Sequence, residues 1–299
     1  MTTNGVAVAI GVFDGVHRGH QSLLAEARRA AGALDATPAA LTFDPHPSAL
    51  FAPARVPLFL GTLAERIALL ETHGAARVVV APFDRALAAQ TPDEFARLFL
   101  RERLNARAVI VGEDFRFGCD RSGDSQTLRR AGEQHGFETV TVPPLFVDGV
   151  PCRSTTIRQM LAGGQAEPAA RLLGRPYLLS GMVVHGRKLG RTIGFPTANL
   201  QSEPGVLVPG AGVYAGEAFL QSGETRLAAI SVGTNPTVTP GVDASRTVEA
   251  YLLDFAGDLY DQPLHLTFRR LLRGTEKFAS LDALVEQMRR DVARVRDGS

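Results

Sequence analysis

The sequence lacks several features that would place it in a specialised class of protein. Its 299 residues include two cysteines, Cys119 and Cys152, which share neither a C-x-x-C spacing nor the spacing of a zinc site. This pattern argues against a disulfide scaffold and against a cysteine zinc site. Its 32 basic and 31 acidic residues give a net charge of +1, and neither end carries a run of like charges. This balance argues against a nucleic-acid partner and against an anionic membrane partner.

Long apolar runs are also missing. The most apolar amino-terminal stretch, residues 6–13, stops at Asp14 and has no basic residue before it. It is too short to span a bilayer and has no signal-peptide flanks, so we expect a soluble, cytoplasmic protein. No internal repeat, no GxxxxGK[ST] loop and no GxGxxG after a strand occurs in the chain. The sequence carries no pattern that predicts the oligomeric state.

The first half alternates short apolar runs with helix-start signals. Residues 6–10, 39–43, 77–83, 108–112 and 137–142 read as strands buried on both faces. Between them, Thr62 with Glu65 and Thr91 with Glu94 have the spacing of capping boxes, and Pro92 suits a first helical position. Such alternation predicts a parallel sheet covered by helices, with ligands at the carboxyl ends of the strands.

The pattern changes at Gly174 and Pro176. After a short helical segment at 168–173, closely spaced strands are predicted at 177–185, 212–220, 226–232, 246–255 and 264–272. Strands without intervening helices favour an antiparallel barrel. Ser280 is a candidate cap of a last helix, whose apolar face is formed by Leu281, Leu284, Val285, Met288, Val292 and Val295. We therefore expect two domains, residues 1–174 and 175–299.

The most informative segment of the first half is GVFDGVHRGHQSLL, residues 11–24, which follows the first strand and runs into a helix. Gly11, Gly15 and Gly19 keep side chains out of the turn, and His17 and His20 are spaced to face one ligand. Free backbone N–H groups and the helix dipole favour a phosphate there. Both imidazoles could donate hydrogen bonds to phosphate oxygens during nucleotidyl transfer. A glycine-rich turn with two partly exposed histidines is the alternative.

This segment resembles the nucleotide-binding signature of the adenylyltransferase module of bacterial bifunctional riboflavin kinase/FAD synthetases. The resemblance implies that Phe13 and Asp14 also belong to the nucleotide site. Val12 stands where the family most often has asparagine.

Two further segments fit the same module in the expected order. TFDPHP, residues 42–47, contributes Asp44 and Pro45 on a rigid loop after the second strand. GEDFRFG, residues 112–118, follows the fourth strand and offers a carboxylate beside aromatic surface suited to a flavin or an adenine. The flavin contacts expected from these segments are Asp44, Pro45, Asp114, Phe115 and Phe117. Phenylalanines that only fill the domain interior are the alternative.

RSTTIRQML, residues 153–161, resembles the SSTxIR motif of the family. Ser154 and Thr155 would supply hydroxyls at a helix start, and the guanidinium of Arg158 suits phosphate oxygens. Arg153 replaces the first serine of the motif, where an added cation could assist or crowd the phosphate. Without the family, this segment is only a capped helix.

A second glycine-rich segment, GRKLGRTIGFPTANL, spans residues 186–200. Its composition suits phosphoryl transfer, because glycines allow close backbone approach and cations meet phosphates. The expected phosphate contacts are Gly186, Lys188, Gly190 and Arg191, and the expected Mg²⁺ ligands are Thr197 and Asn199. Arg187 is a further cation, and solvated surface charge remains the alternative for at least one of the three.

The same segment resembles the flavokinase signature GxxxGRxxGFPTAN, in which the threonine and asparagine hold metal and nucleotide. GVYAG at 212–216, SVGTNPTV at 231–238 and VEAYLLDF at 248–255 follow in the family order. The resemblance implies that Glu249 is the catalytic base on the 5′-hydroxyl of riboflavin, whereas a strand glutamate facing water is the alternative. LRGTEKF, residues 272–278, resembles the family's basic segment and implies a flavin contact for Arg273.

The resemblance covers about residues 6–296. It implies a Rossmann-like nucleotidyltransferase domain followed by a flavokinase β-barrel with a closing helix. The implied enzyme converts riboflavin to FMN and FMN to FAD, with ATP as co-substrate and Mg²⁺ as cofactor. Three alternatives remain: a kinase whose first domain lost adenylylation through Val12 and Arg153, a non-catalytic flavin- or nucleotide-binding regulator, and an adenylyltransferase for another phosphorylated metabolite.

Overall fold

The computed structural model describes residues 4–186, 190, 194–234 and 246–298. By contacts the chain forms two units. The first comprises Met1–Pro57 and Thr62–Arg153, and the second comprises Leu58–Gly61 and Ser154–Ser299. The short segment 58–61 is assigned to the second unit, where Phe59 pairs with Val206. The domain boundary at residue 174 stays a prediction.

The first unit is built on a five-stranded parallel sheet. Its strands are β1 (Val6–Ile10), β2 (Thr37–Asp44), β3 (Arg77–Pro82), β4 (Ala106–Gly112) and β5 (Glu138–Val142), in the order β3-β2-β1-β4-β5. The predicted parallel sheet is therefore confirmed. β1 is the central strand and is buried throughout, because Val8 and Ile10 face one core while Ala7 and Ala9 face the other.

Helices cover both faces of this sheet. They are α1 (Arg18–Leu34), α2 (Pro47–Phe51), α3 (Leu63–Thr72), α4 (Arg85–Ala88), α5 (Pro92–Glu94), which continues as a π-helix over Phe95–Arg103, and α6 (Ser125–His135). A small hairpin joins β6 (Phe146–Val147) to β7 (Val150–Pro151). Both predicted capping boxes are present, at Thr62 and Thr91. The sheet order places the carboxyl ends of β2, β1 and β4 side by side, which is where a ligand is expected.

The second unit is a closed antiparallel barrel preceded by two helices and followed by one. The helices are α7 (Ser154–Ala162), α8 (Ala166–Leu173) and α9 (Leu281–Asp297). The strands are β8 (Tyr177–Val184), β9 (Ala198–Ser202), β10 (Gly212–Leu220), β11 (Thr225–Thr234), β12 (Arg246–Leu252) and β13 (Pro263–Arg273), closed in the order β10-β11-β12-β9-β8-β13. β9 was not predicted as a strand.

Side chains alternate along the barrel strands. On β12, Val248, Ala250 and Leu252 are buried inside, so Glu249 and Tyr251 lie on the outer face. Ser280 caps α9 as predicted. α9 packs Val292 and Val295 in one apolar cluster with Tyr251 and residues of β10.

Leu281, the first residue of α9, is 60% exposed and lies outside this cluster. Among the residues that the structure describes, no helix is long and apolar enough to cross a membrane.

Candidate active sites

In the first unit, a tight loop joins β1 to α1. Three of its residues have left-handed backbone: Phe13 with φ 55°, Gly15 with φ 77° and Val16 with φ 39°. Glycine adopts this region readily, whereas phenylalanine and the β-branched valine are strained there. The side chains of Phe13 and Val16 are fully buried, and Asp14 is 3% exposed. The loop is therefore held in one unfavourable conformation by its surroundings.

The two predicted histidines meet where α1 begins. His17 caps the helix, because its Nδ1 accepts a hydrogen bond from the backbone N–H of His20 at 3.3 Å. The two rings stack at 3.6 Å with an angle of 17° between their planes. A Cβ at Gly19 would lie 3.2 Å from the His17 ring, so glycine gives the ring room. The predicted proximity of His17 and His20 is confirmed.

The environment of His20 lowers its pKa and so favours the neutral imidazole at physiological pH. Burial is the main cause that lowers its pKa well below 6.5, and the charges of His17 and Arg66 act in the same direction. Its Nδ1 is buried and has no hydrogen-bond partner among the residues that the structure describes. A neutral ring avoids charge repulsion within the stack and keeps one donor for a ligand oxygen.

Arg66 of α3 contacts the start of this loop, and the sequence did not predict it as a site residue. It is 5% exposed, and its Nη1 lies 3.1 Å from the carbonyl oxygen of Val12 and 3.3 Å from that of Phe43. Thr42 lies in the same group, 3.2 Å from that nitrogen. Its position one helical turn before the buried Leu70 was the available signal, since a charge on a buried helix face needs partners.

The predicted flavin segment TFDPHP lies at the carboxyl end of β2. The Asp44–Pro45 peptide bond is cis, and the carbonyl of Asp44 accepts a hydrogen bond from the N–H of Phe83 at 3.2 Å. The Asp44 side chain is exposed. Asp44 and Pro45 thus lie on the predicted edge of the sheet.

Three predicted flavin contacts follow β4, and they differ in how exposed they are. Phe117 is 7% exposed and packs 5.8 Å from Phe95 in the interior, which is the alternative that the sequence left open. Phe115 stacks on it at 5.3 Å and is partly exposed. Asp114 is largely exposed and forms an ion pair at 3.5 Å with Arg153, the residue that departs from the family motif.

The RSTTIR segment begins a helix, as its resemblance implied. α7 starts at Ser154 and includes Thr155, which is exposed, and Arg158, which is half-buried. These three residues belong to the second unit by their contacts. Their action with the histidines stays a prediction.

In the second unit, three polar side chains of the predicted kinase site meet on the outer face of the barrel. Glu249 of β12 is opposite Asn199 of β9 on one side and Ser231 of β11 on the other. Directly opposite residues of antiparallel strands point to the same face. The hydroxyl of Thr197, just before β9, donates a hydrogen bond to Oε2 of Glu249 at 3.2 Å. Thr197, Asn199 and Glu249 therefore form one polar group.

Two glycines lie close to this group. A Cβ at Gly186 would lie 2.5 Å from Oδ1 of Asn199, and a Cβ at Gly190 would lie 2.2 Å from the carbonyl oxygen of Phe195. A side chain at Gly190 would meet backbone, and one at Gly186 would displace the side chain of Asn199. The three predicted cations of this loop lie outside the described residues; they are Arg187, Lys188 and Arg191. The same holds for residues 235–238 of the SVGTNPTV segment.

The oxygen donors of this group fit Mg²⁺. Thr197 and Asn199 supply neutral oxygens, and Mg²⁺ in phosphoryl-transfer sites is bound by few protein oxygens together with substrate phosphates. Within the described ranges, no group of three or more His, Cys, Asp or Glu side chains could hold a metal.

Arg273, the predicted flavin contact, ends β13 and is 13% exposed. Its Nε and Nη2 each lie 2.9 Å from Oδ2 of Asp291 on α9, which is 3% exposed. Its guanidinium also lies over the ring of Phe278 at 5.5 Å. In this structure, Arg273 fastens the end of β13 to the last helix.

These features define the class of protein. A parallel sheet with paired histidines at a helix start on its carboxyl edge is typical of a nucleotidyltransferase, and a barrel with Thr, Asn and Glu around close glycines suits a kinase. Residues 1–156 match the FAD synthetase family, and residues 173–298 match the riboflavin kinase family.

Full-length similarities agree with both matches. The bifunctional riboflavin kinase/FMN adenylyltransferase of Pseudomonas fluorescens is 39% identical, with 98% of this chain and 92% of that protein covered. The protein of the same name from Escherichia coli K12 is 40% identical with the same coverage. A crystal structure described as that of a macrolide-efflux protein from Streptococcus pneumoniae has a TM-score of 0.90 and 31% identity, and the match covers 100% of this chain and 96% of that one.

This chain therefore belongs to the bifunctional riboflavin kinase/FMN adenylyltransferase family. It is an enzyme that carries both domains of the family, a finding that supports the bifunctional interpretation over the alternatives of a lost first activity and a regulator.

Proposed function

We propose that the first unit joins FMN to ATP. The FMN phosphate attacks the α-phosphate of ATP, a P–O bond forms, and the bond to the β-phosphate breaks as pyrophosphate leaves. This step needs no general base, because the attacking phosphate is already an anion. The stacked pair of His17 and His20 at the start of α1 carries this proposal. The imidazoles and the helix start would stabilise the charge that shifts to the leaving group.

Other residues would bind the two substrates of this first reaction. Gly11, Phe13, Asp14, Gly15 and Gly19 would shape the phosphate loop, with Ser154, Thr155 and Arg158 as further phosphate contacts. Asp44, Pro45, Asp114 and Phe115 would contact the flavin, and the buried Phe117 would support Phe115 from the core.

In the second unit, the 5′-hydroxyl of riboflavin attacks the γ-phosphate of ATP, and ADP leaves. Glu249 accepts the hydroxyl proton, and its hydrogen bond with Thr197 fixes the direction of the carboxylate. Thr197 and Asn199 would hold Mg²⁺, which supplies charge neutralisation on the phosphates. Gly186, Lys188, Gly190 and Arg191 would contact the phosphates, and Arg273 would shape the flavin side of the site.

The chain is further proposed to act in the cytoplasm on small molecules alone. Its net charge of +1 provides no field for a nucleic-acid partner.

The experiment is a time course with riboflavin and Mg-ATP, in which FMN and FAD are separated by chromatography. FMN should appear first and FAD after it. His20→Ala should abolish FAD formation and spare FMN formation. Glu249→Gln should abolish FMN formation and spare the conversion of supplied FMN to FAD. Glu217→Gln on β10 is the matched control, a glutamate on another strand of the barrel. Equal loss of both activities in either site variant would contradict this division of labour.

FMN as the only product would favour loss of adenylylation through Val12 or Arg153, once the assay is repeated with reduced flavin. Saturation at one equivalent of flavin without turnover would favour a binding protein.

A further inference from the structure

A buried arginine lies beneath the phosphate loop of the first unit, and neither reaction above uses it. Arg66 is on the buried face of α3, one helical turn before Leu70, and the two residues are 5% and 0% exposed. An arginine at such a position needs compensating partners, because an unpaired buried charge is strongly unfavourable. Its partners therefore indicate its role.

These partners are the ends of two elements that build the site. One nitrogen, Nη1, lies within 3.3 Å of the carbonyls of Val12 and Phe43 and of the hydroxyl of Thr42. That hydroxyl donates a second hydrogen bond to the Val12 carbonyl at 2.9 Å. Arg66 thus fastens the start of the β1–α1 loop to the end of β2.

The loop that follows Val12 is the strained part of the chain. Phe13 and Val16 both have left-handed backbone, although neither is a glycine. Such a conformation persists only where its surroundings over-determine it. The carbonyl of Val12 accepts two hydrogen bonds, which fix the start of this loop. The loop leads directly into His17 and His20.

The positive charge of Arg66 interacts with the carboxylates of two aspartates and with His20. Asp14, 3% exposed, and Asp44 both stabilise its positive charge and so oppose the lowering of its pKa by burial. Toward the histidines, burial lowers the pKa of His20 most, and the charges of His17 and Arg66 lower it further. The thiol of Cys152 also faces this group, 3.7 Å from Nδ1 of His17.

We propose that Arg66 is a positioning residue of the adenylyltransferase site, which holds the β1–α1 loop in its strained conformation and so aligns His17 and His20 on the substrate phosphates. This inference rests on the function proposed for the first unit. Arg66 contacts backbone and side-chain oxygens of the protein, so it acts through the histidines.

Two substitutions separate its charge from its geometry. Arg66→Met removes both, whereas Arg66→Lys keeps the charge but loses the planar group that reaches several acceptors. Arg29→Met on α1 is the control, because that side chain is 68% exposed and pairs only with Glu26 among the ion pairs of the described residues. FMN formation by the same chains reports on the second unit.

Four readouts are compared: kcat and KM for FAD formation, the rate of FMN formation, the melting temperature, and the titration midpoint of His20 followed by NMR. His20→Gln identifies the resonance. In Arg66→Met, kcat for FAD formation should fall about 10- to 100-fold with a smaller change in KM, and the His20 midpoint should move to higher pH. In Arg66→Lys the midpoint should stay near that of the parent while kcat still falls.

The proposal is overturned if kcat of Arg66→Met equals that of Arg29→Met. It is also overturned if both Arg66 variants lose activity only in proportion to folded protein while the His20 midpoint does not move. If Arg66→Met does not fold, Arg66→Lys decides: an unchanged kcat overturns the proposal. A parent chain that forms no FAD would contradict the proposed function alone, since the His20 midpoint still tests the influence of Arg66.

Discussion

Replacement of Asp291 by alanine should destabilise the second unit strongly. Asp291 is 3% exposed, and its two oxygens accept hydrogen bonds from Nε of Arg273 at 3.2 and 2.9 Å and from Nε2 of Gln287 at 3.0 Å. Removal of the carboxylate leaves the guanidinium of Arg273 largely buried without its counter-charge. Breaking one half of a buried pair costs about 3–5 kcal/mol, which for a domain of this size corresponds to a fall of about 6–20 °C in melting temperature.

The assay is thermal unfolding of the full chain, with riboflavin kinase activity and hydrogen exchange of α9 amides as further readouts. The unfolding midpoint of Asp291→Asn should lie between those of Asp291→Ala and the parent chain, because the amide oxygen still accepts one hydrogen bond. Glu286→Ala is the matched control on the same helix, since its exposed ion pairs with Arg289 and Arg290 contribute at most about 0.5 kcal/mol each. A midpoint for Asp291→Ala equal to that of Glu286→Ala would refute the reasoning.

Two further predictions concern the two sites. Gly186→Ala should reduce FMN formation by about 100-fold and leave adenylylation of supplied FMN unchanged, because the new Cβ would lie 2.3 Å from the amide nitrogen of Asn199. Gly163→Ala, with a nearest atom at 3.4 Å, is its control. The stability of the first unit should fall as pH drops below about 6.5, because the unfolded chain then binds a proton that the buried His20 does not, with a slope of up to about 1.4 kcal/mol per pH unit. In thermal melts, His20→Gln should weaken the dependence of this stability on pH. An unchanged slope in that variant would contradict the assignment of the dependence to His20.

The architecture could be predicted because strong local patterns mark it. Strands buried on both faces are continuous apolar runs, and the capping boxes at Thr62 and Thr91 mark helix starts independently of the fold. The π-helix after Glu94 left no such mark, since no capping motif or residue type is specific to i→i+5 bonding. β9 was missed because Pro196 and a glycine-rich loop precede its five residues.

The sites were predictable only where their parts are close in sequence. His17 and His20 could be placed together because residues three apart share one face of a helix. The hydrogen bond from Thr197 to Glu249 joins residues 52 positions apart and exists because β12 pairs with β9 in one register. No local pattern contains that register, and the family resemblance alone supplied the connection.

Arg66 and Asp291 show that one sequence feature could have identified both missed contacts. Each is a charged residue at a helical spacing from buried apolar neighbours: Arg66 precedes Leu70 by four positions, and Asp291 precedes Val295 by four. A charge on such a face either remains exposed, which breaks the apolar stripe, or is buried and must be compensated. Both side chains are buried, and both bind the end of a strand, Arg66 at β2 and Asp291 at β13. Since each of these strand ends leads into a segment assigned to a site, a charge within an apolar helix stripe indicates in this chain where a helix fixes a functional loop.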